Sequence, residues 1–267
     1  MLVTTTGHFV AAAAIGAVAG LVGGLAGIGG SLIMLPALAL IFSYDDSART
    51  EQHAFQAACM LVNVVVALPA TWKHRQAGVF RPDLLRWVVP SMAVMIVVGV
   101  LLSNQFDGRT LQRILAVLVV WDCSVNMYRL FRRVDESKLG PERAGPGVML
   151  LAGGSAGLAG GLAGLGGGVL VVPVLQLVGR VPLKQAIATS SAAMCVSSAI
   201  GAAIKLGTLR EHGRDMSESL LLALLLAPGA IVGAMVGATL THKLPVQVLR
   251  VAVSAVLLAT AVKLAIG

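Results

Sequence analysis

Six stretches of this chain, residues 53–72, 84–103, 111–130, 186–206, 219–239 and 247–266, are apolar almost throughout. Each is close to the ~20 residues an α-helix needs to cross ~30 Å of hydrocarbon. None alternates polar and apolar positions as a barrel strand would, so they are expected to be helices. Charge supports the same reading. Only 12% of the residues are charged and 57% are hydrophobic, where a soluble domain carries about 25% charge. The sequence therefore predicts an all-α integral membrane protein, multi-pass, in a cell membrane of the bacterial inner-membrane kind. Residues 1–7 contain no Lys or Arg. The charged n-region of a signal peptide is missing, and the first apolar segment is expected to remain as structure.

A net charge of +8 and a pI near 10 would also suit a nucleic-acid binder. No basic stripe is interleaved with aromatics, which make up 4% of the chain. Cytoplasmic loops enriched in Lys and Arg explain the charge more simply, so nucleic acid is excluded as a partner. Cys59, Cys123 and Cys195 lie far apart inside expected helices, without metal-ligand or CxxC spacing. They read as small packing residues, and neither a metal nor a cofactor is expected.

The chain repeats itself. Residues 20–36, GLVGGLAGIGGSLIMLP, align with residues 157–173, GLAGGLAGLGGGVLVVP, without a gap. Leu and Ala would coincide by chance in such sequences, but the shared glycines and the closing proline would not. Nearby registers pair Arg113 with Arg250, Pro90 with Pro228, Gly99 with Gly237 and Gly78 with Gly207. The expected organisation is a duplication, with membrane repeats near 1–138 and 139–267 and a polar junction at 131–146.

Each repeat opens with an apolar stretch too long for one straight helix. Residues 8–42 would run ~50 Å as a helix, with arms on either side of 27–30 that look short for full spans. Each Gly disfavours helix by ~1 kcal/mol, so 27–30 and 164–168 are expected breaks. Each repeat is thus read as a broken or re-entrant segment followed by three full spans. An odd number of crossings inverts the second repeat. Lys73, Arg75, Arg81 and the basic junction place 73–83 and 131–146 in the cytoplasm, with 43–52 and 210–217 outside.

Interrupted helices at corresponding places in two halves point to a transporter's midplane site. A break exposes backbone N–H groups at the start of the next helix, where the dipole favours an anion. Gly29, Gly30, Gly166, Gly167 and Gly168 would let a ligand approach that backbone, and Ser31 adds a hydroxyl in one half. The alternative is close packing through small residues, which is the reading for Gly16/Gly20/Gly24 and Gly153/Gly157/Gly161. No Gly-Lys-Ser/Thr ending follows either segment, so a nucleotide loop is excluded. Downstream, Thr189, Ser190 and Ser191 could donate to an anion or bond back to their own helix. In the first half Gln56 and Asn63 are the comparable donors.

The doubled glycine motif with its proline, and Ala-Thr-Ser-Ser opening the next helix of the second half, resemble the sulfite-exporter family of the TauE/SafE type over nearly the whole chain. That resemblance implies a permease for sulfite, sulfonates or related organosulfur anions. It marks Gly29, Gly30, Pro36, Gly166, Gly167, Pro173, Thr189 and Ser190 as patterned positions. The first half departs from the Thr-Ser pattern at Gln56-Ala57-Ala58, which leaves the substrate open.

Asp122 stands in the middle of an apolar run, a costly place for a carboxylate. It is read either as a proton relay or charge partner in transport, or as a structural charge that pairs with Arg86 or Lys205 or contacts solvent or a second subunit. Lys205, near a helix end, is expected to snorkel. His53 begins a helix beside Glu51. The expected function is non-enzymatic, gradient-driven export of a small sulfur-containing anion, with a homodimer left open. The alternatives are a permease for another small anion and a non-catalytic partner or assembly subunit.

Overall fold

The computed structural model describes residues 6–41, 49–131 and 141–245, with single positions 248, 251 and 255 beyond. They form helices α1 (Thr6–Ala26), α2 (Ser31–Ile41), α3 (Glu51–Gln76), α4 (Pro82–Ser103), α5 (Gly108–Phe131), α6 (Pro146–Ala163), α7 (Gly168–Leu177), α8 (Leu183–Thr208) and α9 (Met216–Lys243). A short 3-10 turn, Leu209–His212, extends α8. Among the described residues six helices are long and apolar enough to cross a membrane: α1, α3, α4, α6, α8 with its extension, and α9. The expected span at 247–266, Arg250 and parts of the junction and of 43–52 lie outside the described residues.

Both opening segments are broken where the glycines stand, but their arms are unequal. The first arms, α1 and α6, are candidate spans of 18 apolar residues each. Only the second arms are short, 11 residues in α2 and 10 in α7. The expectation of two short arms fails because the helix runs unbroken up to the first left-handed glycine. Pro82 and Pro146 start α4 and α6, where a missing N–H is harmless.

Lipid gives helices no hydrophobic reason to associate, so close contact through small residues must do so. In α1, a Cβ on Gly16, Gly20 or Gly24 would collide with the backbone carbonyls of Leu226, Ala230 and Ala234 in α9. In α6, Gly153, Gly157 and Gly161 meet the carbonyls of Val88, Met92 and Ile96 in α4 in the same way. The packing reading of both glycine ladders therefore holds. Contacts ascend together along each pair, so α1 runs parallel to α9 and α6 parallel to α4.

Polar ties show which helix ends share a face. Arg214, between α8 and α9, pairs with Glu51 and donates to Thr50 Oγ1 at the start of α3. At the other end of α3, His74 Nδ1 lies 2.9 Å from His242 Nε2 at the end of α9. That second face also holds Arg81, which bonds Gln185 at 2.9 Å and Glu142 at 3.2 Å. Consequently α1, α3 and α9 point one way and α4, α6 and α8 the other. The N–H of Arg143, just before α6, donates to Gly179 O, just after α7, at 2.9 Å. The α6–α7 segment is therefore a hairpin that returns to the face it left.

This arrangement puts exposed Gln76 and exposed Glu211 on opposite faces. Gln76→Cys and Glu211→Cys, each in a background without the native cysteines, are expected to react with an impermeant thiol reagent from opposite sides. Only Glu211→Cys should be labelled in intact cells. Equal labelling of both in intact cells would contradict this sidedness.

Candidate functional site at the crossing of two helix breaks

The two breaks have matching backbone conformations. Gly27 and Gly164 have φ of 68° and 73°, and Gly29 and Gly166 have φ of 78° and 70°. This left-handed region is open to glycine and costs other residues ~1–2 kcal/mol. Each first arm ends with a backbone N–H bonded four residues back, Gly27 to Gly23 O at 2.9 Å and Gly164 to Gly160 O. The chain then turns and starts the short second arm.

The breaks meet near the middle of α3 and α8. A Cβ on Gly168 would stand 2.8 Å from Gly27 O and 3.0 Å from Ile28 Cα. Ser190 Oγ lies 2.6 Å from Gly27 O and 3.1 Å from Gly168 O, so one hydroxyl spans both breaks. Asn63 does the same from α3. Its Oδ1 accepts the Gly30 N–H at 2.9 Å, and its Nδ2 donates to Ser31 Oγ at 2.6 Å and Leu165 O at 3.0 Å. Ser197 Oγ donates to Gly166 O at 2.6 Å. Residues 23–32 and 163–169 are all buried, so the crossing is closed to both faces in this conformation.

The expected site residues divide accordingly. Gly29, Gly30, Ser31, Asn63, Gly166, Gly168 and Ser190 come together at the crossing. Gly167, with φ of 95°, caps the start of α7. Gln56 packs against Gly164 and its Nε2 lies 3.3 Å from Leu162 O. Ser191 Oγ is buried without a hydrogen-bond partner. Thr189 turns away, donating to Gln185 O of its own helix at 2.9 Å. Pro36 and Pro173 are buried inside α2 and α7. Sequence reasoning passed over Ser197 and Ser198. Their signal was the spacing from Ser190, about two helical turns along one face of α8.

Asp122 is buried on α5. Arg86 is exposed, with its guanidinium 5.5 Å from the Trp87 ring. Lys205 does not snorkel: it is 0% exposed and hydrogen-bonded inward, to His53 Nδ1 and Ser103 Oγ at 2.8 Å and Asn104 Oδ1 at 2.9 Å. Burial replaces the expected snorkelling because α8 carries its length past Lys205 and the polar ends of α3 and α4 surround the ammonium. The ring of His53 stacks on His212 with centroids 3.7 Å apart.

Paired helix breaks meeting at mid-depth in a bundle of membrane-length helices define a multi-pass membrane protein. The chain belongs to the sulfite exporter TauE/SafE family, whose model matches residues 12–264. Among curated proteins it is similar to the probable membrane transporter protein MamO of Magnetospirillum gryphiswaldense and to its namesake in Paramagnetospirillum magneticum. Identity is 24% in each, over 92% of this chain. The chain spans less than half the length of these relatives, 43% and 42%. No solved structure matches it.

Proposed function

We propose that this protein is a transporter that exports a small sulfur-containing anion, sulfite or an organic sulfonate, and binds it where the two breaks cross. One observation carries the reading: two left-handed glycine breaks, arriving from opposite faces, are tied to each other by Ser190 and Asn63 at mid-depth. The first residues of α2 and α7 stand at this point. Helix starts present N–H groups and the positive end of a dipole, which favours an anion without a fixed cation. The hydroxyls of Ser190 and Ser197 can turn from the carbonyls they now bond to the oxygens of a ligand. The family's name supports sulfite as the substrate class. The opposed directions of α1 and α6, α3 and α8, and α4 and α9 suit two inverted repeats, near 1–138 and 139–267, that rock about this point. A gradient drives the export, and no chemical conversion is involved.

Purified protein is expected to gain thermal stability in sulfite or sulfoacetate over an equal concentration of chloride. Ser190→Ala should reduce that gain, because it removes the hydroxyl shared by both breaks. Indifference of the wild type to every sulfur oxyanion tested, thiosulfate included, would remove the substrate assignment.

A further inference from the structure

A fully buried ammonium inside a membrane-crossing helix usually has a carboxylate beside it. Lys205 has none within ion-pair distance among the described residues, and its three N–H groups all go to neutral acceptors, His53, Ser103 and Asn104. His53 accepts at Nδ1, so its proton sits on Nε2 and the ring is uncharged. The nearby Glu51 is paired with Arg214, while Asp107 and Glu211 are exposed at the surface. Burying a charge without a counter-charge is costly, and in membrane proteins such groups mark ion routes.

The position of Lys205 supplies the route. It follows Ser198 by seven residues on α8, ~10 Å along one helix face. Ser198 stands against Gly166 in the second break, and its Oγ is buried without a hydrogen-bond partner. On α3, Gln56 lies between Asn63 and His53, and its Oε1 is likewise buried and unpartnered. A file of polar side chains thus leads from the crossing to Lys205. At its end His212 stacks on His53, with its Nε2 buried and again unpartnered.

We infer that Lys205, with Ser103 and His212, forms a second station for a small oxyanion, on the Glu51–Arg214 side of the crossing. The anion supplies the missing counter-charge: one ammonium N–H turns to it from a neutral acceptor, the Ser103 hydroxyl turns to it from Val100 O, which it bonds at 2.7 Å in this conformation, and His212 Nε2 donates to it. The station rests on the anion reading of the crossing but uses different residues. At ~10 Å along the helix, both places can be filled together.

Sulfite and sulfate titrations of the purified full chain by calorimetry test this. The wild type is expected to bind two sulfites, folded Lys205→Gln one, and Lys205→Arg two. Should Lys205→Gln fail to fold, His212→Phe keeps the stacking ring without Nε2, and the second affinity should fall at least tenfold. A single wild-type site that both variants leave unchanged would overturn the station and make Lys205 a tie between α3, α4 and α8. So would a wild type that binds no anion. If Ser190→Ala leaves sulfite binding intact while Lys205→Gln removes it, the station stands and the crossing loses its assignment.

Discussion

Asn63→Leu is expected to lower the thermal midpoint sharply and to abolish sulfite binding at the crossing in whatever protein remains folded. Asn63 is wholly buried, and its amide joins Gly30, Ser31 and Leu165. Leucine fills similar space but leaves the Gly30 N–H and the Leu165 carbonyl without a partner. Unpaired buried groups cost about 1–3 kcal/mol each, so about 2–6 kcal/mol in all. That approaches the whole stability of many domains, about 5–15 kcal/mol. Asn63→Asp separates folding from binding. It keeps an acceptor for Gly30 but sets a negative charge at the crossing, so an anion should be repelled more than the fold is weakened. Size-exclusion profiles and thermal scans with and without sulfite would check both variants. A wild-type midpoint for Asn63→Leu would show that the breaks hold each other without it.

The second large effect is expected at Gly166. Alanine there must adopt φ near 70° with its Cβ 3.0 Å from Asn63 Nδ2 and in collision with Ser198 Oγ. The conformation alone costs ~1–2 kcal/mol, and displacing Asn63 undoes the tie between the breaks. Gly166→Ala should therefore lose transport in proteoliposomes. Gly154→Ala is the matched control from the same repeat. Its Cβ would meet only Met95 Cγ, at 3.8 Å, in an ordinary helix. It should gain about 0.5–1 kcal/mol of stability, since alanine suits helix better than glycine, and transport normally. Equal behaviour of the two variants would mean that the left-handed break is dispensable.

The breaks and the spans could be read from the sequence because they depend on short-range physics. Apolar length selects the membrane helix, and clustered glycine with no competing side chain ends it. Asn63 and Ser190 were also within reach, being polar groups on apolar helices next to the glycine motifs. Thr189 was harder, because whether a hydroxyl faces a neighbour or its own preceding turn depends on helix rotation. The roles of Lys205 and His212 are not legible in the sequence for a related reason. Their surroundings come from α3 and α4, more than a hundred residues earlier. Composition near a helix end says "interface", and only the assembled bundle shows that the end is inside.

The glycine ladders also set the order in which this chain can be finished. The face of α1 that carries Gly16, Gly20 and Gly24 is completed by Leu226, Ala230 and Ala234, which lie about 210 residues later in the chain. Synthesis at ~5–20 residues per second leaves that face uncovered for ~10–40 s after it leaves the ribosome. In that interval α1 lies in the bilayer with its carbonyl-fitting groove open to any other small-residue helix. Insertion machinery that shelters unpaired helices would act on α1, and a nascent chain stalled before α9 would remain a target for membrane proteases.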